Sequence, residues 1–111
     1  MEEEALANLH AVEAKKQDID LTIRAEVQQA LSEVNAALEQ VQVSEINIRQ
    51  ADLAVQTARL RYDAGAISNL DLLDAETGRA QAKLTNLQAL YDYVISSFRL
   101  RKAVGSHALE P

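Results

Sequence analysis

Tyr62-Asp63-Ala64-Gly65-Ala66-Ile67-Ser68-Asn69 is the one strong break in a chain of helix-forming residues, and its reading decides the fold. Gly65 suits the left-handed position just past the end of a helix, where a Cβ would clash. Ser68 restarts the chain as an N-cap whose hydroxyl can accept from the Asp71 N–H, with Asp71 placed to reach back toward the Ser68 N–H. Ile67 and Leu72 stand at the spacing of a hydrophobic staple across that cap. Pro111 is terminal, Gly105 is near the end, and Gly78 lies inside a strongly periodic stretch. One break therefore predicts two helices, over about 4–62 and about 69–104, with a tip at 63–68.

Upstream of the tip, Val27, Val34, Val41, Ile48, Val55 and Tyr62 recur every seven residues, interleaved with Ile23, Ala30, Ala37, Ser44, Ala51 and Ala58. This is an unbroken 3-4 heptad seam. Downstream, Leu70, Thr77, Leu84, Tyr91 and Phe98 alternate with Leu73, Ala80, Leu87, Val94 and Arg101 in the same rhythm, which predicts that these large residues fill grooves left by the small residues of the first seam. Tyr93 falls on another side, as a candidate for contact with a neighbouring helix. The expectation is an all-α fold, a long antiparallel two-helix coiled-coil hairpin spanning 1–111 as one domain.

Position numbers adding to about 132 should stand opposite each other, which leaves residues 1 to about 26 without a partner. The seam also loses phase there, as in a heptad stutter or a change of neighbour. The first helix should be the longer, roughly 90 Å against roughly 55 Å. Each helix carries a second apolar stripe, Ile46, Leu53 and Leu60 on the first, and Ala75, Ala82, Ala89 and Ala103 on the second. These read either as a wider amphipathic face in a monomeric bundle or as surfaces for helices of other chains. Arg99, Arg101 and Lys102 followed by Gly105 suit a helix C-terminus.

Composition agrees. Among 111 residues there are 3 Gly, 1 Pro and 4% aromatics, too few turn and β-forming residues for an all-β chain. Without cysteine there is no disulfide, thiolate zinc site or Cys nucleophile. A net charge of -6, with no basic stripe, excludes a nucleic-acid surface. No apolar run approaches the ~20 residues of a spanning helix. The start, Met1-Glu2-Glu3-Glu4, has neither the basic region nor the apolar core of a signal peptide, so the expectation is a cytosolic protein or a piece separated from its leader.

The segment Tyr62-x-x-Gly65-x-Ile67-Ser68-x-Leu70-Asp71-Leu72-Leu73-Asp74-Ala75, followed by Ala82, Leu84, Tyr91, Tyr93 and Leu100-x-x-Ala103-Val104-Gly105, resembles the TolC-like outer membrane efflux protein family. The likeness covers about 20 to 105, and its specific part is the turn with Leu-Leu-Asp-Ala. The resemblance implies one periplasmic α-barrel hairpin, most like that of the second repeat, in a homotrimeric outer membrane channel for efflux or type I secretion. It implies that the tip Gly65, Ala66, Ile67, Ser68 and Asn69 meets a periplasmic adaptor (membrane fusion) protein. It further implies that Asp71 and Asp74 line the entrance as acidic rings and that Tyr62 belongs to a hydrogen-bond link closing the gate. Where the best-known pattern has an Arg, this chain has Ile67, so the Arg-dependent part of that gate is missing. With no strands and one hairpin, the chain resembles a fragment of such a channel, localised in the periplasm, which does not itself span a membrane. Leu109-Glu110-Pro111, beyond the stretch of likeness, is a candidate for an appended, non-native tail.

The charged and aromatic residues also admit plainer roles. Asp71 and Asp74 also suit a helix N-terminus through its dipole, a role compatible with a cation-attracting ring. As metal ligands these two carboxylates make a weak pair that no nearby His completes, so no metal and no cofactor are expected. His10 and His107 are expected in solvent, and no nucleophile, acid–base pair or phosphate loop points to an enzyme. Tyr91 and Phe98 are expected in the core. The rival to the channel reading is a stand-alone cytosolic coiled-coil scaffold that binds a helical partner.

Overall fold

The computed structural model describes residues 1–108, with side-chain surroundings through Gly105; His107 and the Leu109–Pro111 tail lie outside what can be said of side chains. Helix α1 runs Glu2–Asp63 and helix α2 Asn69–Ala108, folded back on each other as a hairpin measuring 95 × 19 × 16 Å. The first helix is the longer, as the seam lengths require. Glu2, Glu3 and Glu4 in the first turn of α1 complement its dipole, and Arg61 does so in its last turn.

The α1 seam is where its periodicity puts it. Every residue of α1 that is not exposed lies between Ile23 and Ala58, and Ala30, Val41, Ser44, Val55 and Ala58 are buried. Val55 is fully enclosed, at 0% exposure. Tyr62, expected at the end of this seam, lies beyond it and is 42% exposed. Cross-helix polar pairs occur at 44/86, 52/79, 33/99 and 59/76, numbers adding to 130–135 and so bracketing the expected register. All residues from Met1 to Thr22 are exposed, an overhang left uncovered by the described residues of α2.

The seam of α2 differs from the sequence expectation. Leu72, Ala75, Arg79, Ala82, Asn86, Ala89, Tyr93, Ser96, Leu100 and Ala103 are buried or half-buried in a 3-4 rhythm, with Glu76, Ile95, Ser97 and Gly105 half-buried beside them. Leu70, Leu73, Leu84, Leu87, Tyr91, Val94 and Phe98 face away from α1; Leu87 is 64%, Tyr91 67% and Phe98 61% exposed. What read as a secondary alanine stripe is the packing face, and Tyr93 rather than Tyr91 is in the seam.

Close approach explains the choice. Ala75, Ala82 and Ala89 let the α2 backbone come up to the valines of α1, while Leu72, Tyr93 and Leu100 stand level with the small residues Ala58, Ala37 and Ala30 in the register of the 44/86 pair. Size complementarity holds, but with different residues from those expected. Helix α2 also continues through Gly105 to Ala108, and among the described residues only Gly65 has a positive φ, so Gly105 does not act as a left-handed stop.

Candidate functional site

The tip is built by local hydrogen bonding. The Gly65 N–H donates to the Tyr62 carbonyl at 2.9 Å and the Ala66 N–H to the Arg61 carbonyl at 2.8 Å, the paired bonds of a Schellman motif. This closure needs the left-handed backbone at Gly65, whose φ is +75°. Three residues on, the Ser68 hydroxyl accepts from the Asp71 N–H at 3.2 Å, and the Ser68 carbonyl accepts from the Leu72 N–H at 3.2 Å. The cap thus forms as the sequence requires. Among the described residues the return bond from Asp71 to the Ser68 N–H is not made, so Asp71 keeps its carboxylate free for other company.

Gly65, Ala66, Ser68 and Asn69 are exposed at the end of the molecule, and Ile67 is half-buried against the helices. Asp71 and Asp74 are both exposed on the first turns of α2. The hairpin brings Asp71 and Ile67 together with Leu53, Ala54, Thr57 and Arg61 around an open groove of about 590 Å³ running up from the tip. Asp74 and Tyr62 do not line it. Sequence reasoning did not pick out Leu53, Thr57 and Arg61 for this site; the signal was present in their spacing, since Ala54 and Arg61 sit just before the seam positions Val55 and Tyr62 and so flank the seam. Farther up the same flank, a second groove of about 160 Å³ is lined by Gln40, Asn47, Thr85, Gln88 and Asp92.

Opposite charges tie the helices near the tip at the surface. Arg59 donates to Glu76 at 3.4 Å, and Arg79 approaches Asp52 at 3.9 Å. Farther away Arg99 approaches Glu33 at 3.9 Å. All are partly or largely solvent-exposed, so they orient more than they stabilise. His10 is exposed on the overhang. Among the described residues no cluster of His, Asp or Glu has the make-up of a metal site, and no helix is long and apolar enough to cross a membrane. The local chemistry is therefore that of a surface: a rigid turn, two free carboxylates, and apolar residues left uncovered above them.

The family model described as "Outer membrane efflux protein" matches residues 2–106. The chain belongs to the outer membrane efflux protein family. Membership covers both helices and the tip, not the turn motif alone. Among similar members of this family, the outer membrane protein TolC of Vibrio cholerae is 27% identical over 96 residues, covering 84% of this chain and 22% of TolC. The cation efflux system protein CusC of Escherichia coli K12 is 28% identical over 106 residues, covering 89% of this chain and 23% of CusC. This efflux-family chain thus spans less than a quarter of the length of either relative. No solved structure matches it.

Proposed function

We propose that this chain is a periplasmic hairpin in the α-barrel of an outer membrane efflux channel. Two such helices act as staves of the duct wall, and the tip 63–68 presents its exposed residues to a periplasmic adaptor protein. The parent channel is a homotrimer in this reading. The observation that carries it is the two-faced character of α2, in a chain of the outer membrane efflux protein family: an alanine-rich face spent on α1, and a continuous Leu, Tyr and Phe face left uncovered on the opposite side.

In this reading Asp71 and Asp74, free of intrachain ion pairs among the described residues, come together from three protomers at the entrance and favour cations. Tyr62, exposed on the last turn of α1, is available for a link that holds the entrance closed, and Ile67 at the position of the family's Arg removes one arm of that link. The relatives include a cation efflux protein, which makes small cations a substrate class to test first.

The experiment is crosslinking in intact cells, with a single Cys at Ala66 or Asn69 of the parent protein and candidate periplasmic adaptors co-expressed. The chain has no native cysteine to interfere. Specific adducts from either site are expected. Their absence from a folded, exported parent would remove the docking role. For the acidic rings, Asp71→Asn combined with Asp74→Asn should reduce cation preference and weaken block by multivalent cations in single-channel recordings; unchanged selectivity would remove that assignment.

A further inference from the structure

The Asn86 side-chain amide donates to the Ser44 hydroxyl at 2.9 Å, and that hydroxyl donates in turn to the Val41 carbonyl at 2.8 Å. Ser44 is buried and Asn86 half-buried, 42 residues apart in sequence, near the middle of the paired stretch. The rest of the seam is chemically repetitive. With position numbers adding to 130, as this bond sets them, Val55 stands level with Ala75, Ile48 with Ala82, Val41 with Ala89 and Val27 with Ala103. A slip of one heptad would leave those layers as valine or isoleucine on alanine or serine. The complementary layers are alanine level with Leu72, Arg79, Tyr93 or Leu100, and they too are largely unchanged by a slip. Among the described residues this is the one cross-helix side-chain hydrogen bond with a buried member, whereas the Arg59–Glu76, Arg79–Asp52 and Arg99–Glu33 pairs lie partly exposed on the flanks and are the weaker constraint on register.

We propose that the Ser44–Asn86 layer fixes the sliding register of α1 against α2, and so decides which residues form the tip. In a register one heptad away, Asn86 would stand level with Ala51 or Ala37 and find no hydroxyl, while Tyr93 or Arg79 would meet Ser44. The amide would then be half-buried without its partner, the penalty by which a single polar seam position specifies a coiled-coil register. The same slip moves the midpoint of the hairpin by half a heptad off Gly65, to between Arg61 and Tyr62 or to between Ser68 and Asn69, so the glycine no longer stands at the turn. Ser44 and Asn86 are thus positioning residues for a tip about 30 Å away along the helix. The assignment concerns the geometry of this chain and stands whatever the tip docks against.

The test is disulfide trapping in the full Cys-free chain. Ala37→Cys with Tyr93→Cys reports the observed register, and Ala37→Cys with Leu100→Cys reports the register slipped by seven. With Ser44 and Asn86 intact, only the first pair should oxidise. In a background of Ser44→Ala with Asn86→Leu, the layer copies Ala58 with Leu72, so helicity should be kept while the slipped disulfide rises about tenfold, the scale of a preference set by one bonded pair. The exchange Ser44→Asn with Asn86→Ser rebuilds a hydrogen-bonding layer and should return the slipped disulfide to its original level. Three results would overturn the proposal: only the native disulfide in the Ala–Leu background, loss of helicity there, or no recovery in the exchanged pair.

Discussion

Gly65 and Ser68 carry the turn through different physics, and their variants should separate. A Cβ at Gly65 would meet nothing within 4 Å, so the cost of Gly65→Ala is in the left-handed backbone at φ +75° and not in a clash. We expect it to lower stability by about 1 kcal/mol, with Gly65→Asn costing less, measured by urea unfolding followed by circular dichroism. Equal losses for Ala and Asn would contradict a backbone origin. Ser68→Ala removes the acceptor for the Asp71 N–H and should cost about 1 kcal/mol, while Ser68→Asp should be near neutral. A helix cap need only satisfy nearby backbone groups, and this is why the turn was legible from eight residues of sequence.

At the scale of the elements, the two faces of α2 make opposite predictions. Ala89 is buried opposite α1, so Ala89→Leu overfills a narrow seam and should destabilise the hairpin by about 1–3 kcal/mol. Leu87 is largely exposed, so Leu87→Ala in the isolated chain should shift stability by no more than about 0.5 kcal/mol. Had Leu87 been in the seam, the two results would be reversed, and thermal unfolding of the pair of variants decides between them. Periodicity alone could not make this choice, because both faces of α2 repeat in the same 3-4 rhythm. Side-chain size pointed toward the larger residues, whereas the closer backbone approach permitted by alanine determines the interface with α1. Tyr93 and Ser96 in the seam, and Tyr91 and Phe98 outside it, follow from that one rotation of the helix.

For the whole molecule the shape is the argument. A body 95 Å long and under 20 Å across has almost no interior, and residues 1–22 are all exposed. Amide exchange in the isolated monomer should therefore be rapid through residue 22 and slowest around Val41–Ala58 and Ala75–Ala89, where the buried positions lie. Strong protection of residues 5–20 in a strict monomer would contradict this. The exposed stripe Leu84, Leu87, Tyr91, Val94 and Phe98 carries the complementary expectation: adding further helices of the parent channel should protect it, and Leu87→Asp should weaken assembly far more than it affects the fold of the hairpin.

The sequence by itself determined the two helices, the position and chemistry of the turn, the seam of α1, the approximate register and the unpaired overhang. These depend on local backbone chemistry and on an α1 seam that runs unbroken from Ile23 to Ala58, far longer than the second stripe of Ile46, Leu53 and Leu60. Tertiary structure alone decided which face of α2 meets α1, that Asn86 completes a hydrogen bond with Ser44, that helix α2 passes through Gly105, and that Asp71, Ile67 and Arg61 border one groove while Asp74 stands outside it. Each of these depends on how near two backbones can come or on pairing residues tens of positions apart, and neither quantity is written in the order of residues along one helix.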